Sequence, residues 1–111
     1  DRFPDIVVAK SLGAIVAATA FCLHEFRPAS AVLIGTPSAA IKVAEIQLLQ
    51  RFAADVETLF IQQSEDPGGA ASRLHTALNV PKSKVIAIPG DDHLYTDTGA
   101  IGSLIRRWNK L

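Results

Sequence analysis

Ser11, Asp66 and His93 are the side chains of this chain whose types and order could do chemistry together. A serine hydroxyl is a weak nucleophile until a base within hydrogen-bond reach takes its proton. Histidine is the natural base for that task near neutral pH. A carboxylate can then hold the imidazole in the right tautomer and stabilise the imidazolium that forms. Ser11 and Asp66 are 55 residues apart, and Asp66 and His93 are 27 apart. Each gap is about the length of one or two strand–helix units.

The local sequence around each residue sharpens this. Asp5-Ile6-Val7-Val8-Ala9-Lys10-Ser11-Leu12-Gly13 is an apolar run leading into small-x-Ser-x-Gly, and an apolar helical segment leaves it. That shape predicts a nucleophile elbow, the sharp strand-to-helix turn that lifts a serine above a sheet. Ala9 and Gly13 are small enough to let strand and helix approach, although glycine is the usual residue at the first position. The Leu12 amide is expected at the helix N-terminus, where a free N–H favours a developing oxyanion. The plainer alternative is a Ser11 that only caps the helix. Asp66 follows the run Thr58-Leu59-Phe60-Ile61-Gln62-Gln63. Asp66-Pro67-Gly68 is also ordinary turn chemistry, and Glu65 is a rival for the same role. His93 sits in Gly90-Asp91-Asp92-His93, after the run Val85-Ile86-Ala87-Ile88-Pro89. Its plainer reading is an exposed loop histidine beside two aspartates. His24 and His75 fall inside helical segments and are set aside.

The elements that must position these groups follow from hydrophobic patterning. Residues 6–9, 31–35, 58–62 and 84–89 are short apolar runs without polar alternation, as expected of parallel strands covered on both faces. Residues 11–26, 38–54, 70–78 and 98–110 have helical character. The order is β-α-β-α-β-α-β-α. It predicts an α/β fold of three layers: a mostly parallel sheet of about four strands, order 1-2-3-4, with crossover helices, and one domain over residues 1–111. With consecutive strands as neighbours, the first three helices fall on one face and only the last covers the other. Trp108 is expected to anchor that last helix, with Arg106, Arg107 and Lys110 towards water.

Composition narrows the function classes. The 111 residues carry 11 basic and 11 acidic side chains, so no electrostatic footprint for nucleic acid or an anionic membrane arises. Hydrophobic residues make up 49% and mean hydropathy is +0.25, rich enough for a sheet buried on both faces. The single cysteine, Cys22, excludes an internal disulfide and suggests a reducing, cytoplasmic setting. It is expected to be packed and inert within its helix. No run reaches the roughly 20 apolar residues of a membrane span. Asp1-Arg2-Phe3-Pro4 lacks the pattern of a secretory signal. No metal-ligand spacing is present, and no cofactor is expected.

At this point the chain resembles the C-terminal half of an α/β-hydrolase, in the dienelactone-hydrolase-like branch of small acyl hydrolases. Ala9-Lys10-Ser11-Leu12-Gly13 resembles the elbow, and Val32-Leu33-Ile34-Gly35-Thr36-Pro37 the strand after the elbow helix. The segment from Thr58 to Pro67 resembles the acid strand and loop, and Ile88-Pro89-Gly90-Asp91-Asp92-His93 the histidine loop. The resemblance implies Ser11 as nucleophile, Asp66 as orienting acid and His93 as base. The expected function is hydrolysis of a small-molecule ester or thioester through an acyl-enzyme. Two features depart from the family. Dienelactone hydrolases proper use cysteine where Ser11 stands, and the early loop that carries the second oxyanion donor has no counterpart here. In the complete fold the elbow strand is internal. Its edge is therefore expected to be open here, in a piece of a longer protein or in a chain that self-associates through that edge.

Two other readings stay open. One is a non-catalytic interaction module or inactive fragment on the same fold, in which His93 need not reach Ser11. The other is nucleotide binding, because Lys10-Ser11 matches the last two residues of a phosphate loop. The Gly-x-x-x-x-Gly that must precede that pair is absent, so the spacing fails.

Overall fold

Four apolar runs become four parallel strands because none of them can bury its hydrophobic faces alone. The computed structural model describes residues 5–109. Its elements are β1 (Ile6–Lys10), α1 (Gly13–His24), β2 (Ser30–Ile34), α2 (Val43–Asp55), β3 (Glu57–Gln63), α3 (Ala71–Leu78), a short 3-10 turn (Lys82–Lys84), β4 (Val85–Ile88) and α4 (Thr98–Asn109). The sheet order is β1-β2-β3-β4, all parallel, with Val8 opposite Val32, Val32 opposite Leu59, and Ile61 opposite Ile86. The expected α/β architecture and strand order are what the chain adopts. The N-terminal tetrapeptide and Lys110 lie outside the described residues.

Alternation along the strands divides the core in two. Ala31, Leu33 and Phe60 face α1, α2 and α3, packing with Ala14, Ala18, Phe21, Leu49, Phe52, Leu74 and Leu78. Val32, Ile34, Leu59 and Ile61 face α4, packing with Ile101, Leu104, Ile105 and Trp108. Trp108 thus helps anchor the last helix, and Arg106 and Arg107 are exposed. One helix does not reach across four strands: Val8 of β1, on the α4 face, is 54% exposed.

Helices α1 and α2 start later than expected. Residues 38–42 do not join α2. Ala39 N–H instead donates to the Gly68 carbonyl, and Ala40 N–H to that of Pro37, which ties this turn to the loop after β3. The helix begins later, where Glu45 Oε1 accepts the Lys42 N–H at 2.9 Å, half of a capping box. At the start of α1, Ser11 has φ 55°, a left-handed conformation that no residue inside a helix adopts. Cys22 is half-buried, with its Sγ 3.8 Å from the Leu48 carbonyl.

Candidate active site

Ser11, Asp66 and His93 come from the carboxyl ends of β1, β3 and β4. In a parallel sheet this is where loops from different strands converge. Ser11 N–H continues the sheet ladder, donating to the Ile34 carbonyl at 2.8 Å. The chain then turns sharply through Ser11, and Leu12, with φ −63°, caps α1. Ser11 makes no side-chain cap to that helix. Its Oγ lies 2.7 Å from His93 Nε2 instead, so the plain capping role does not describe it. A Cβ built on Gly13 would sit 3.6 Å from that of Ala9, an ordinary contact. The small pair therefore lets strand and helix meet, and the alanine at the first position is accommodated. Among the described residues the Leu12 N–H has no hydrogen-bond partner.

On its far side, His93 Nδ1 approaches Asp66 Oδ2 at 2.8 Å and Oδ1 at 3.0 Å. An ionised carboxylate only accepts, so Nδ1 carries the proton and the neutral ring presents a lone pair at Nε2. That lone pair faces the Ser11 hydroxyl. The arrangement can therefore draw a proton from serine and hold the resulting imidazolium against a carboxylate. Asp66 is 4% exposed, whereas Glu65 is exposed and makes no side-chain bond to His93. His24 and His75 lie on α1 and α3, outside this chain of contacts.

Distance makes the convergence demanding. Neighbouring strands lie about 4.8 Å apart, so the ends of β1 and β4 are about 14 Å apart. The segment 89–93 brings the His93 backbone only to the end of β3, where its N–H meets Gln63, and the imidazole spans the rest of the way, from Asp66 to Ser11. The far end of the segment is held by two side chains. Lys10 Nζ donates to the Leu94 carbonyl at 2.7 Å, which gives that lysine a structural contact beside the serine. Gln63 Oε1 accepts from His93 N–H at 2.8 Å and from Asp92 N–H at 3.1 Å, while its Nε2 donates to Asp92 Oδ1 at 2.9 Å. Its neighbour Gln62 points to the opposite face and holds the acid loop: it exchanges two 2.9 Å bonds with Thr36 and donates to the Gly69 carbonyl at 2.7 Å.

Five described non-glycine residues have left-handed backbones. Glu25 and Asn79 are ordinary helix C-caps. The other three are Ser11 (φ 55°), His93 (φ 62°) and Tyr95 (φ 53°), all at this site. Unfavourable conformations of this kind persist only where surrounding contacts over-determine them.

Tyr95 and the two glutamines were not singled out from sequence. Tyr95 is 5% exposed, donates its hydroxyl to Asp66 Oδ2 at 2.6 Å and accepts the Gln63 N–H at 2.7 Å. The available signal was the pair of amides ending an otherwise apolar strand, where buried polar groups need assigned partners.

These contacts set the charge of the acid. Burial pushes the Asp66 carboxyl up, but the bonds from Tyr95, His93 and Gly68 together outweigh it and hold it below its ordinary value of 3.8. Burial, and then the bond to Asp66, push the Tyr95 phenol above its ordinary 10.0. The signs give opposite pH limits. The unfolded chain protonates Asp66 first, so its stabilisation is present above pH 3.8 and is lost as pH falls through the lower folded value. Tyr95 contributes stability fully present below pH 10.0 and lost as pH rises through its higher folded value. Urea midpoints of the wild type should fall between pH 4 and 2 more steeply than those of Asp66→Asn. Because Tyr95 is the chain's single tyrosine, phenolate absorbance should remain absent at pH 10.0 until the protein unfolds. A normal phenol titration in the folded protein would contradict the burial and bonding described.

Among the described residues, no group of three or more His, Cys, Asp or Glu side chains is placed to hold a metal ion. No described helix is long and apolar enough to cross a membrane. No protein-family model, curated protein or solved structure matches the chain.

Proposed function

We propose that this chain carries the nucleophile, base and orienting acid of a serine hydrolase acting on an ester or thioester. The carrying observation is the continuous chain of contacts from Ser11 Oγ through His93 to Asp66, at 2.7 and 2.8 Å. Ser11 Oγ attacks the acyl carbon as its proton passes to His93 Nε2. The Leu12 N–H donates to the oxyanion of the tetrahedral intermediate. Collapse expels the alkoxide or thiolate, which leaves with the proton from Nε2, and the acyl group stays on Ser11. Water then attacks the acyl-enzyme by the same route, releasing the acid and restoring the hydroxyl. The likeness to dienelactone-hydrolase-like proteins supports the same reading. The left-handed Ser11 adds to it, since an elbow strains its nucleophile.

The interaction-module reading requires no reach between His93 and Ser11. A base at hydrogen-bond distance from the nucleophile argues against it. The β1 edge, with Val8 exposed, fits association with a further strand, so we place self-association or strand pairing there.

The test is covalent capture. The protein is incubated with a fluorophosphonate and the adduct is located by peptide mass spectrometry. An adduct on Ser11 is expected. No adduct, or an adduct on another serine, would overturn the assignment.

A further inference from the structure

We propose that Tyr95 is a positioning residue of this site: its hydroxyl, locked by the Gln63 N–H, sets the orientation and basicity of Asp66 towards His93. The inference rests on the hydrolytic reading above and adds a residue to it.

A tyrosine hydroxyl has one proton to give and can accept as well. The Gln63 N–H occupies the accepting side at 2.7 Å, so the proton is directed to Asp66 Oδ2 at 2.6 Å. Oδ2 also receives the His93 Nδ1–H, while Oδ1 accepts the Gly68 N–H at 2.7 Å. Both oxygens are thus engaged and the carboxylate plane is set. The carboxylate shares its charge with a neutral donor, which weakens its pull on the imidazole proton without neutralising it.

The surroundings are shaped to seat this ring. Gly35 has φ +64°, and a Cβ there would fall 2.6 Å from Tyr95 Cε2, so both backbone and space require glycine. The ring packs into the α4-side core with Val32, Ile34 and Ile61. It also meets the His93 ring edge-on, with centroids 5.8 Å apart. Gln63 serves both partners, holding Tyr95 through its backbone and the His93 loop through its side chain. One strand end therefore sets the acid and the base relative to each other.

The test compares Tyr95→Phe with the wild type and with Ile101→Val. The latter trims the same core and makes no hydrogen bond to Ser11, Asp66, His93 or Tyr95. Fluorophosphonate labelling of Ser11 and ester turnover are read together with the downfield Nδ1–H proton resonance of His93. Tyr95→Phe is expected to lower kcat and the labelling rate about 10- to 100-fold with KM little changed. It should also move the resonance further downfield, as Asp66 pulls harder on the imidazole proton. Ile101→Val should leave both in place. Because the chain has one tyrosine, growth on 3-fluorotyrosine alters this hydroxyl alone. Its more acidic phenol should move the resonance the opposite way, and this arm decides the matter if Tyr95→Phe does not fold. A resonance unmoved by either change, or equal slowing in Ile101→Val, would overturn the proposal. Failure of the wild type to label at Ser11 would instead overturn the hydrolytic reading, and the resonance would still decide whether Tyr95 holds Asp66.

Discussion

Ser11→Ala is expected to abolish the fluorophosphonate adduct and to lower turnover of an activated ester by about 10⁴-fold or more. The substitution removes only the hydroxyl that faces His93 Nε2. Alanine keeps the Cβ, and Ser11 N–H still donates to Ile34, so β1 and the start of α1 retain their anchor. The left-handed backbone at this position strains alanine about as much as serine, and the side chain caps nothing. Stability should therefore change little while chemistry disappears. Far-ultraviolet circular dichroism and the urea midpoint check the first point, and intact-protein mass spectrometry after labelling checks the second. A variant that still labels at the wild-type rate would remove Ser11 from the mechanism.

Asp66→Asn is expected to cost about 10³- to 10⁴-fold in kcat while leaving the backbone in place. Asparagine is nearly the same shape, but its amide must choose which atom faces Tyr95, Gly68 and His93. Those three neighbours all donate to the acid in the wild type, across 2.6 to 2.8 Å. An amide offers one acceptor oxygen, so at least one donor is left facing an N–H. If the NH₂ group meets Nδ1, the imidazole proton moves to Nε2, and the ring then confronts Ser11 as a donor rather than a base. Loss of the charge also removes stabilisation of the imidazolium. The effect should fall on kcat, since Asp66 is buried beneath the histidine and away from the serine. Steady-state kinetics on a p-nitrophenyl ester measure it. A loss of less than about tenfold would show that Asp66 does not orient the base.

How much of this was readable in the chain differs by element. The four strands announce themselves because parallel strands covered on both faces need uninterrupted apolar runs, and Ala31 to Ile34 is such a run. Ser11, Asp66 and His93 stand out because each follows such a run directly. The start of α2 was not readable. Residues 38–42 have adequate helical composition, but the Ala39 N–H goes to the Gly68 carbonyl in the loop after β3, a contact made across the fold. Tyr95 was hidden for a related reason. It lies in a polar loop where local pattern predicts exposure, and its burial depends on Gly35, sixty positions earlier in the chain. Gln62 and Gln63 read as the frayed end of a strand. Only alternation of faces shows that one serves the acid and the other the base.

The path of residues 89–93 over the sheet links competence to assembly. Ser11 rides on one edge strand and His93 is tethered from the other, so no subset of strands holds both. On the proposed hydrolytic reading, a half-formed sheet with β4 yet to dock has a serine without a base and should not label with a fluorophosphonate. Residues 92–94 are held at Gln63 and Lys10 through side chains, while Gly90 is held through its carbonyl by the Glu65 N–H.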